Sequence, residues 1–196
     1  MHRPLVIKVG GSLFSQAEEV IRVIRTLTPD ALLLPGGGLF ADTIRMLEIG
    51  ETPAHWMAIA AMEQYGWYLS GFGMETTDIP HFSKKPRIFL PYRYLKECDP
   101  LPHSWEITSD TISAWLADHL DADLIVLKSI DHIRAGTLPL DEITALVRTD
   151  DLDPAFIPFI LDHHISGMII NGMNPDRIRL ALERKPVPGT FFGITI

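Results

Sequence analysis

Lys8 stands inside an apolar run, Leu5-Val6-Ile7-Lys8-Val9, directly before Gly10, Gly11 and Ser12. A buried ammonium is costly unless it reaches an anion or an acid. Glycines between a strand and a helix leave backbone N–H groups uncovered, and the helix dipole adds positive potential there. Two readings fit: a phosphate-binding turn with Lys8 as its point charge, or a tight turn after an edge strand. The pattern occurs twice, because Ala31–Leu34 runs through Pro35 into Gly36, Gly37 and Gly38. In a parallel sheet, ligands gather beyond the carboxyl ends of the strands. Two amide nests placed there suit two phosphate groups, a donor and an acceptor, and two turns plus Lys8 favour the phosphate reading.

Further groups carry chemistry. The stretch Pro100–Asp110 packs prolines, His103, Trp105, Thr108 and Asp110 ahead of a helix. Asp110 falls in that helix's first turn, where the dipole favours an acid even without function. Its functional reading is to pair with lysines and hold them toward a transferring phosphate. His103 and Trp105 are candidates to line a pocket, or are packing groups. Lys128, Ser129 and Asp131 follow the apolar strand Leu124–Leu127. Lys128 is either a partner for donor phosphates or a solvated lysine. His55 opens an apolar helical stretch and reads as a satisfied core histidine or as a pocket residue. His163 and His164 lack an acid or cysteine at ligand spacing, so no metal ligands are assigned.

Alternating strands and helices must position these residues. An amphipathic helix is expected from about Ser15 to Leu27, with Val20, Ile21, Val23, Ile24 and Leu27 as its apolar stripe. Further helices are expected from about Leu39, from Thr52 or Pro53 to about Leu69, and from Thr108 to about Leu120. Asp141–Val147, Pro154–His163 and Pro175–Leu182 also have helical periods, the last with Pro175 at its first position. Arg87–Leu90, Leu124–Leu127 and Met168–Ile170 read as strands, and Met74–Lys85 as a strand plus a loop. Pro91–Pro102 reads as an ordered loop with one helical turn, and Gly189–Ile196 as a final strand or hairpin with a bend at Gly193. Such alternation favours a mostly parallel sheet covered on both faces. No linker divides the chain, so residues 1–196 are expected to form one domain.

The chain has 196 residues, 46% of them hydrophobic and 21% charged, as in ordinary soluble globular proteins. Its net charge of −8 argues against nucleic acid and anionic membranes as partners. Cys98 is the only cysteine, which excludes an intrachain disulfide and a Cys-based zinc site. With no signal peptide and no apolar run long enough to span a bilayer, the cytoplasm is the expected compartment. The apolar helix Ala54–Leu69 suits core burial or, in a homo-oligomer, a partner subunit.

Taken in order, Ile7–Ser12 (IKVGGS), Pro35–Gly38 (PGGG), Thr108–Asp110 (TSD), Leu124–Asp131 (LIVLKSID) and Gly189–Thr190 (GT) resemble the amino acid kinase family. That family includes acetylglutamate, aspartate, uridylate and isopentenyl phosphate kinases. The resemblance implies an α/β fold, a three-layer αβα sandwich, with ATP and Mg2+ at one end of the sheet. It matches Lys8, Gly10, Gly11 and Ser12 to the first phosphate loop, and Gly36, Gly37 and Gly38 to the acceptor loop. It matches Asp110 to the acid that organises the catalytic lysines. Lys128 falls near the nucleotide, and Ser129 and Asp131 go with it. Ala54–Gly66 and Asp99–Trp115 further resemble the branch of small kinases of methanofuran biosynthesis, which act on an (aminomethyl)furanmethyl phosphate. On that reading the acceptor's ring and amine need an aromatic wall and an acid or acceptor, for which Trp105, His103, His55, Glu63 and Asp42 are candidates. Thr108 joins the same site, and the partner is a small phosphate monoester. Two departures stand out. Many members carry a lysine after the strand matching Met168–Ile170, where this chain has Asn171 and Gly172. Isopentenyl phosphate kinases place a histidine just after the glycine run, where this chain has Leu39, Phe40 and Ala41. Two alternatives remain open: a kinase of the same fold for another acceptor, such as a nucleoside or isoprenoid monophosphate, and a non-catalytic protein that holds nucleotide or oxyanion.

Overall fold

Strand β1 (Leu5–Val9) is buried along its whole length and lies between β2 (Ala31–Pro35) and β5 (Asp123–Lys128), parallel to both. The structure is a computed structural model and describes residues 3–27 and 30–193. Beyond β2 the sheet continues with β4 (Arg87–Phe89) and β3 (Thr76–Thr77). Beyond β5 come β9 (Gly167–Asn171), β10 (Thr190–Phe192) and β8 (Glu142–Ile143), which makes eight strands. Within this sheet, among the described residues, only the β9–β10 pairing is antiparallel, so the expected mostly parallel α/β sheet is what forms.

The period of two sorts the strand side chains onto two faces. Leu5, Ile7 and Val9 join Leu33, Ile125 and Leu127 under α1 (Ala17–Leu27) and α7 (Pro175–Leu182). Val6 joins Leu32, Leu34, Leu124 and Val126 under α5 (Ser109–His119) and α6 (Phe156–Asp162). Lys8 and Lys128 have the parity of this second face, so both side chains rise on the side of α5. Helix α2 (Gly38–Arg45) packs on α3 (Glu51–Ser70). Helix α3 buries Ile59 and Met62 in one core and Tyr65 and Leu69 in the other, while Met57, Trp67 and Tyr68 stay exposed.

Several elements differ from expectation. Asp141–Val147 is not a helix. Its Glu142–Ile143 segment pairs as β8 with β10, which buries Ile143 at the sheet edge. The apolar spacing of Ile143, Leu146 and Val147 mimics a helical face, but tertiary pairing overrides it. Pro91–Pro102 holds a two-turn helix, α4 (Tyr92–Cys98), rather than a single turn, and it ends at Asp99 in the left-handed region (φ 40°). Before α1 the chain forms a 3-10 segment over Gly11–Gln16. A short hairpin, β6 (Arg134–Ala135) and β7 (Leu138–Pro139), turns at Gly136 with φ 62°. Gly193 makes the expected bend, and positions 194–196 of the final stretch lie outside the described residues. Among the described residues no helix is long and apolar enough to cross a membrane.

Candidate active site

The two glycine turns meet. A Cβ on Gly11 would lie 2.1 Å from Gly38 Cα and 2.5 Å from Gly38 N, so the backbones are in direct contact. Gly38 adopts φ +52°, a conformation that only glycine reaches without strain. The N–H groups of Gly10 and Gly36 are already engaged, donating to Leu127 O (3.0 Å) and Val9 O (2.8 Å). They clamp the loops to the strand ends rather than serve a ligand. Gly11 and Ser12 head the 3-10 segment, and Gly37 and Gly38 head α2. At such positions helical geometry gives the N–H no intrahelical acceptor. Alanine at Gly11 must push the turns apart, at a cost of about 1–3 kcal/mol. We expect Gly11→Ala to retain circular dichroism but lose phosphate binding, as measured by titration; unchanged binding would show that the junction has no part in it.

Lys8 and Asp110 are both only 4% exposed. Lys8 Nζ donates to Asp110 Oδ1 at 2.6 Å, and Lys128 Nζ donates to Asp110 Oδ2 at 2.9 Å and to Asp151 O at 2.6 Å. One carboxylate thus holds two ammonium groups, Lys8 buried and Lys128 half-buried, and the three side chains together carry an excess of positive charge. The titration shifts follow from that count. Burial pushes the Asp110 carboxyl up, but Lys8 and Lys128 outweigh it and hold it at about 2. Burial lowers Lys8, and the neighbouring Lys128 ammonium adds to the lowering against the pull of Asp110. An incoming anion relieves both effects, because it supplies the missing negative charge.

Asp153 fixes the triad's acid in place and was not singled out by the sequence. Its Oδ2 accepts from Thr108 N (2.8 Å), Thr108 Oγ1 (2.8 Å) and Thr111 N (3.0 Å), while Oδ1 accepts from Thr111 Oγ1. Thr108 is the residue before α5 but makes no side-chain cap of its own. A carboxylate from a distant loop caps the helix instead. Burial and the charge of Asp110 raise the Asp153 pKa.

A cleft of about 630 Å³ opens over the triad, a volume usual for small-molecule sites. Lys8, Gly10, Gly11, Ser12, Gly37, Gly38, Asp110 and Lys128 line it, and so do His55, Trp105 and Thr108. Gly36, His103, Ser129 and Asp131 stand outside its lining. Asp131 accepts from Arg177 (2.6 Å) and Asn171 (2.8 Å), and His103 lies behind His55, stacked on it at 4.4 Å. Asp42, Arg45 and Glu51 also line the cleft. A second cavity of about 990 Å³, lined partly by Arg134 and Arg148, shares Asp150, Asp151, Asp153 and Pro154 with the first.

The absence of a lysine at Asn171 has a geometric counterpart. Lys128 on β5 is the register partner of Asn171 on β9. The second ammonium of the triad therefore rises one strand away from the position where the family pattern leads one to look for it.

The sheet order, the two abutting glycine turns and the lysine pair on Asp110 define an α/β protein of the amino acid kinase fold. Comparison with known proteins agrees. The sequence matches no protein-family model. It is 25% identical over 202 residues to [5-(aminomethyl)furan-3-yl]methyl phosphate kinase of Methanocaldococcus jannaschii, covering 92% of this chain and 93% of that one. The uridylate kinase of Archaeoglobus fulgidus superposes with a TM-score of 0.70 at 18% identity, covering 96% of this chain and 99% of the other. An isopentenyl phosphate kinase superposes with a TM-score of 0.64 at 16% identity, covering 95% and 99%.

Proposed function

We propose that the protein transfers a phosphoryl group from ATP to a phosphate monoester, giving a diphosphate, and that its acceptor is an (aminomethyl)furanmethyl phosphate. The observation that carries the reading is the Lys8–Asp110–Lys128 triad, centred on a buried carboxylate, at the junction of two glycine turns. The acceptor identity rests on the sequence similarity to the furan phosphate kinase.

The donor set fits a nucleoside triphosphate. Surplus positive charge and the N–H groups heading two helical segments suit two closely spaced phosphoryl groups, and ATP supplies the group that moves. Lys8 and Lys128 offset the charge of the phosphates between them, and Asp110 keeps both ammonium groups aimed at one point. Gly11, Ser12, Gly37 and Gly38 supply N–H donors. The adjoining cavity with Arg134 and Arg148 offers room for the nucleoside. Mg2+ bound with ATP would supply further charge neutralisation at the donor phosphates; among the described residues the cleft has no group of three carboxylates close enough together to hold an ion by themselves. The monoester oxygen is already ionised near neutral pH and needs no general base. It forms the new bond to phosphorus as the bond to the departing ADP oxygen breaks, and catalysis reduces to alignment and charge stabilisation.

The test is ADP formation by purified protein with Mg-ATP against a panel: [5-(aminomethyl)furan-3-yl]methyl phosphate, uridylate and isopentenyl phosphate. Diphosphate from the furan ester is the expected product. Turnover with another monoester alone would keep the phosphotransfer and discard the acceptor. ATP binding without any product would overturn the kinase reading in favour of a nucleotide-holding protein.

A further inference from the structure

His55 is a buried histidine, as its sequence context suggested, but it is not a satisfied one. It is 9% exposed, lines the cleft, and has no hydrogen bond to its ring among the described residues. Its ring instead packs face to face on His103 (4.4 Å, 22°) and edge-on to Trp56. His103 is tied at both nitrogens, Nδ1 to Thr52 Oγ1 (3.0 Å) and Nε2 to Asp99 Oδ1 (2.9 Å). The hydroxyl can donate to Nδ1, and Nε2–H can donate to the carboxylate, so His103 is held as a fixed wall. His55 is thereby held against that wall while lining the cleft, and neither ring nitrogen has a hydrogen bond to protein among the described residues. Its nitrogens are not sealed off: among the described residues Tyr65 Oη is the only fully buried side-chain polar atom without a partner, so an unbonded His55 nitrogen stays open to a ligand or a water.

The surroundings decide which ligand. Glu51 and His55 are one turn apart on α3, and both line the cleft together with Asp42 of α2. Lys8 and Lys128 stand at the triad end among Asp110, Asp150, Asp151 and Asp153, whereas this wall holds two carboxylates and one cation, Arg45, whose guanidinium lies 4.6 Å over the Trp105 ring. Ile59, Met62 and Trp105 supply apolar surface to the same cleft. A ligand that fits has a phosphate at one end, a small flat apolar body and a cation at the other. We propose that His55 accepts a hydrogen bond from a primary ammonium on the phosphoryl acceptor, with Glu51 and Asp42 supplying the field, and so makes the site selective for amine-bearing phosphate monoesters. The proposal rests on the acceptor reading given above and adds the residue that would enforce it. Burial first, then the proximity of His103, holds the His55 pKa down at about 4. The ring is therefore neutral at physiological pH and keeps a lone pair for a donor. Among the described residues, His55, Asp99 and His103 also lie close enough to hold a metal. The face-to-face stack and the two bonds on His103 leave the rings badly oriented for a shared ion.

The test is calorimetric titration, without nucleotide, of [5-(aminomethyl)furan-3-yl]methyl phosphate and its 5-methyl analogue, which lacks the amine. Hydrogen bonds to charged groups set the expected scale, so wild type should prefer the amine by about 10- to 100-fold. His55→Phe keeps the ring stack and should bring the two ligands to within a few-fold of each other. His55→Gln keeps a carbonyl acceptor and should restore most of the preference, which a merely structural role would not do. An unchanged preference in folded His55→Phe overturns the proposal, and so does a wild type that binds neither ester or binds both equally. Preference for the amine without phosphoryl transfer would uphold the recognition while overturning the kinase reading. Transfer to uridylate with neither furan ester bound would do the reverse.

Discussion

Lys8→Met should lower kcat by at least about 100-fold, the usual scale for losing one preorganised donor at a site of developing charge, while the protein stays folded. The side chain is nearly the same length and sits in a strand whose neighbours are all apolar, so the core on the α5 face accepts it. Asp110 keeps its bond to Lys128 Nζ at 2.9 Å and is not left as an unpaired buried charge. That matters because stripping a buried pair of its only partner costs several kcal/mol. The measurement is ADP release at saturating ATP and acceptor, paired with a thermal melt. Wild-type turnover from a folded variant would remove Lys8 from the chemistry and the kinase reading with it. Lys128→Met should also impair transfer, because Lys8 alone leaves the phosphates without the surplus charge.

Lys8 was easier to read than Lys128, which the sequence left as either a partner for donor phosphates or a solvated lysine, and the difference is a matter of sheet topology. A lysine within five consecutive strand positions breaks a local pattern, and the glycines beside it supply the reason. Asp110 could be read from its helix's first turn, and its role from the resemblance. Lys128 follows a buried strand as many surface lysines do, and only the sheet parity and the parallel pairing of β1 with β5 reveal where it points. Nothing local says that the two lysines converge on one carboxylate more than a hundred positions from Lys8.

Asp153 is a harder case. It precedes a proline in a polar stretch that reads as an ordinary turn, yet it caps a helix 42 to 45 positions earlier. Thr108 stands at the expected start of that helix and was assigned to the acceptor site. It lines the cleft, but the cap is inverted, with the threonine donating and the aspartate accepting. Long-range polar contacts of this kind leave no periodicity, and the same is true of β8, whose pairing with β10 defeats a helical spacing. What the pattern of apolar residues does encode is the strand order's raw material: each buried strand from β1 to β9 that exceeds three residues was readable from it.

Asp110→Asn separates positioning from mere packing, since the amide keeps the shape and removes the charge. Two consequences follow with definite sign. The first concerns stability. In the folded protein the carboxyl titrates at about 2 against its ordinary 3.8. Its stabilisation is complete above about 3.8 and is lost as pH falls toward 2; the shift corresponds to on the order of 2 kcal/mol. The gap in melting temperature between wild type and variant should therefore be widest near neutral pH and close between about pH 4 and pH 2. The second concerns rate. Burial and Lys128 already lower the Lys8 pKa, and Asp110 is the main group opposing them. Without the carboxylate, Lys8 loses its proton at lower pH. Turnover should fall by about 100-fold or more, and the alkaline limb of the pH–rate profile should move to lower pH. A variant that is slower but keeps the wild-type alkaline limb would mean that Asp110 orients the lysines without holding their charge. A variant as fast as wild type would place the transferring phosphate elsewhere in the cleft.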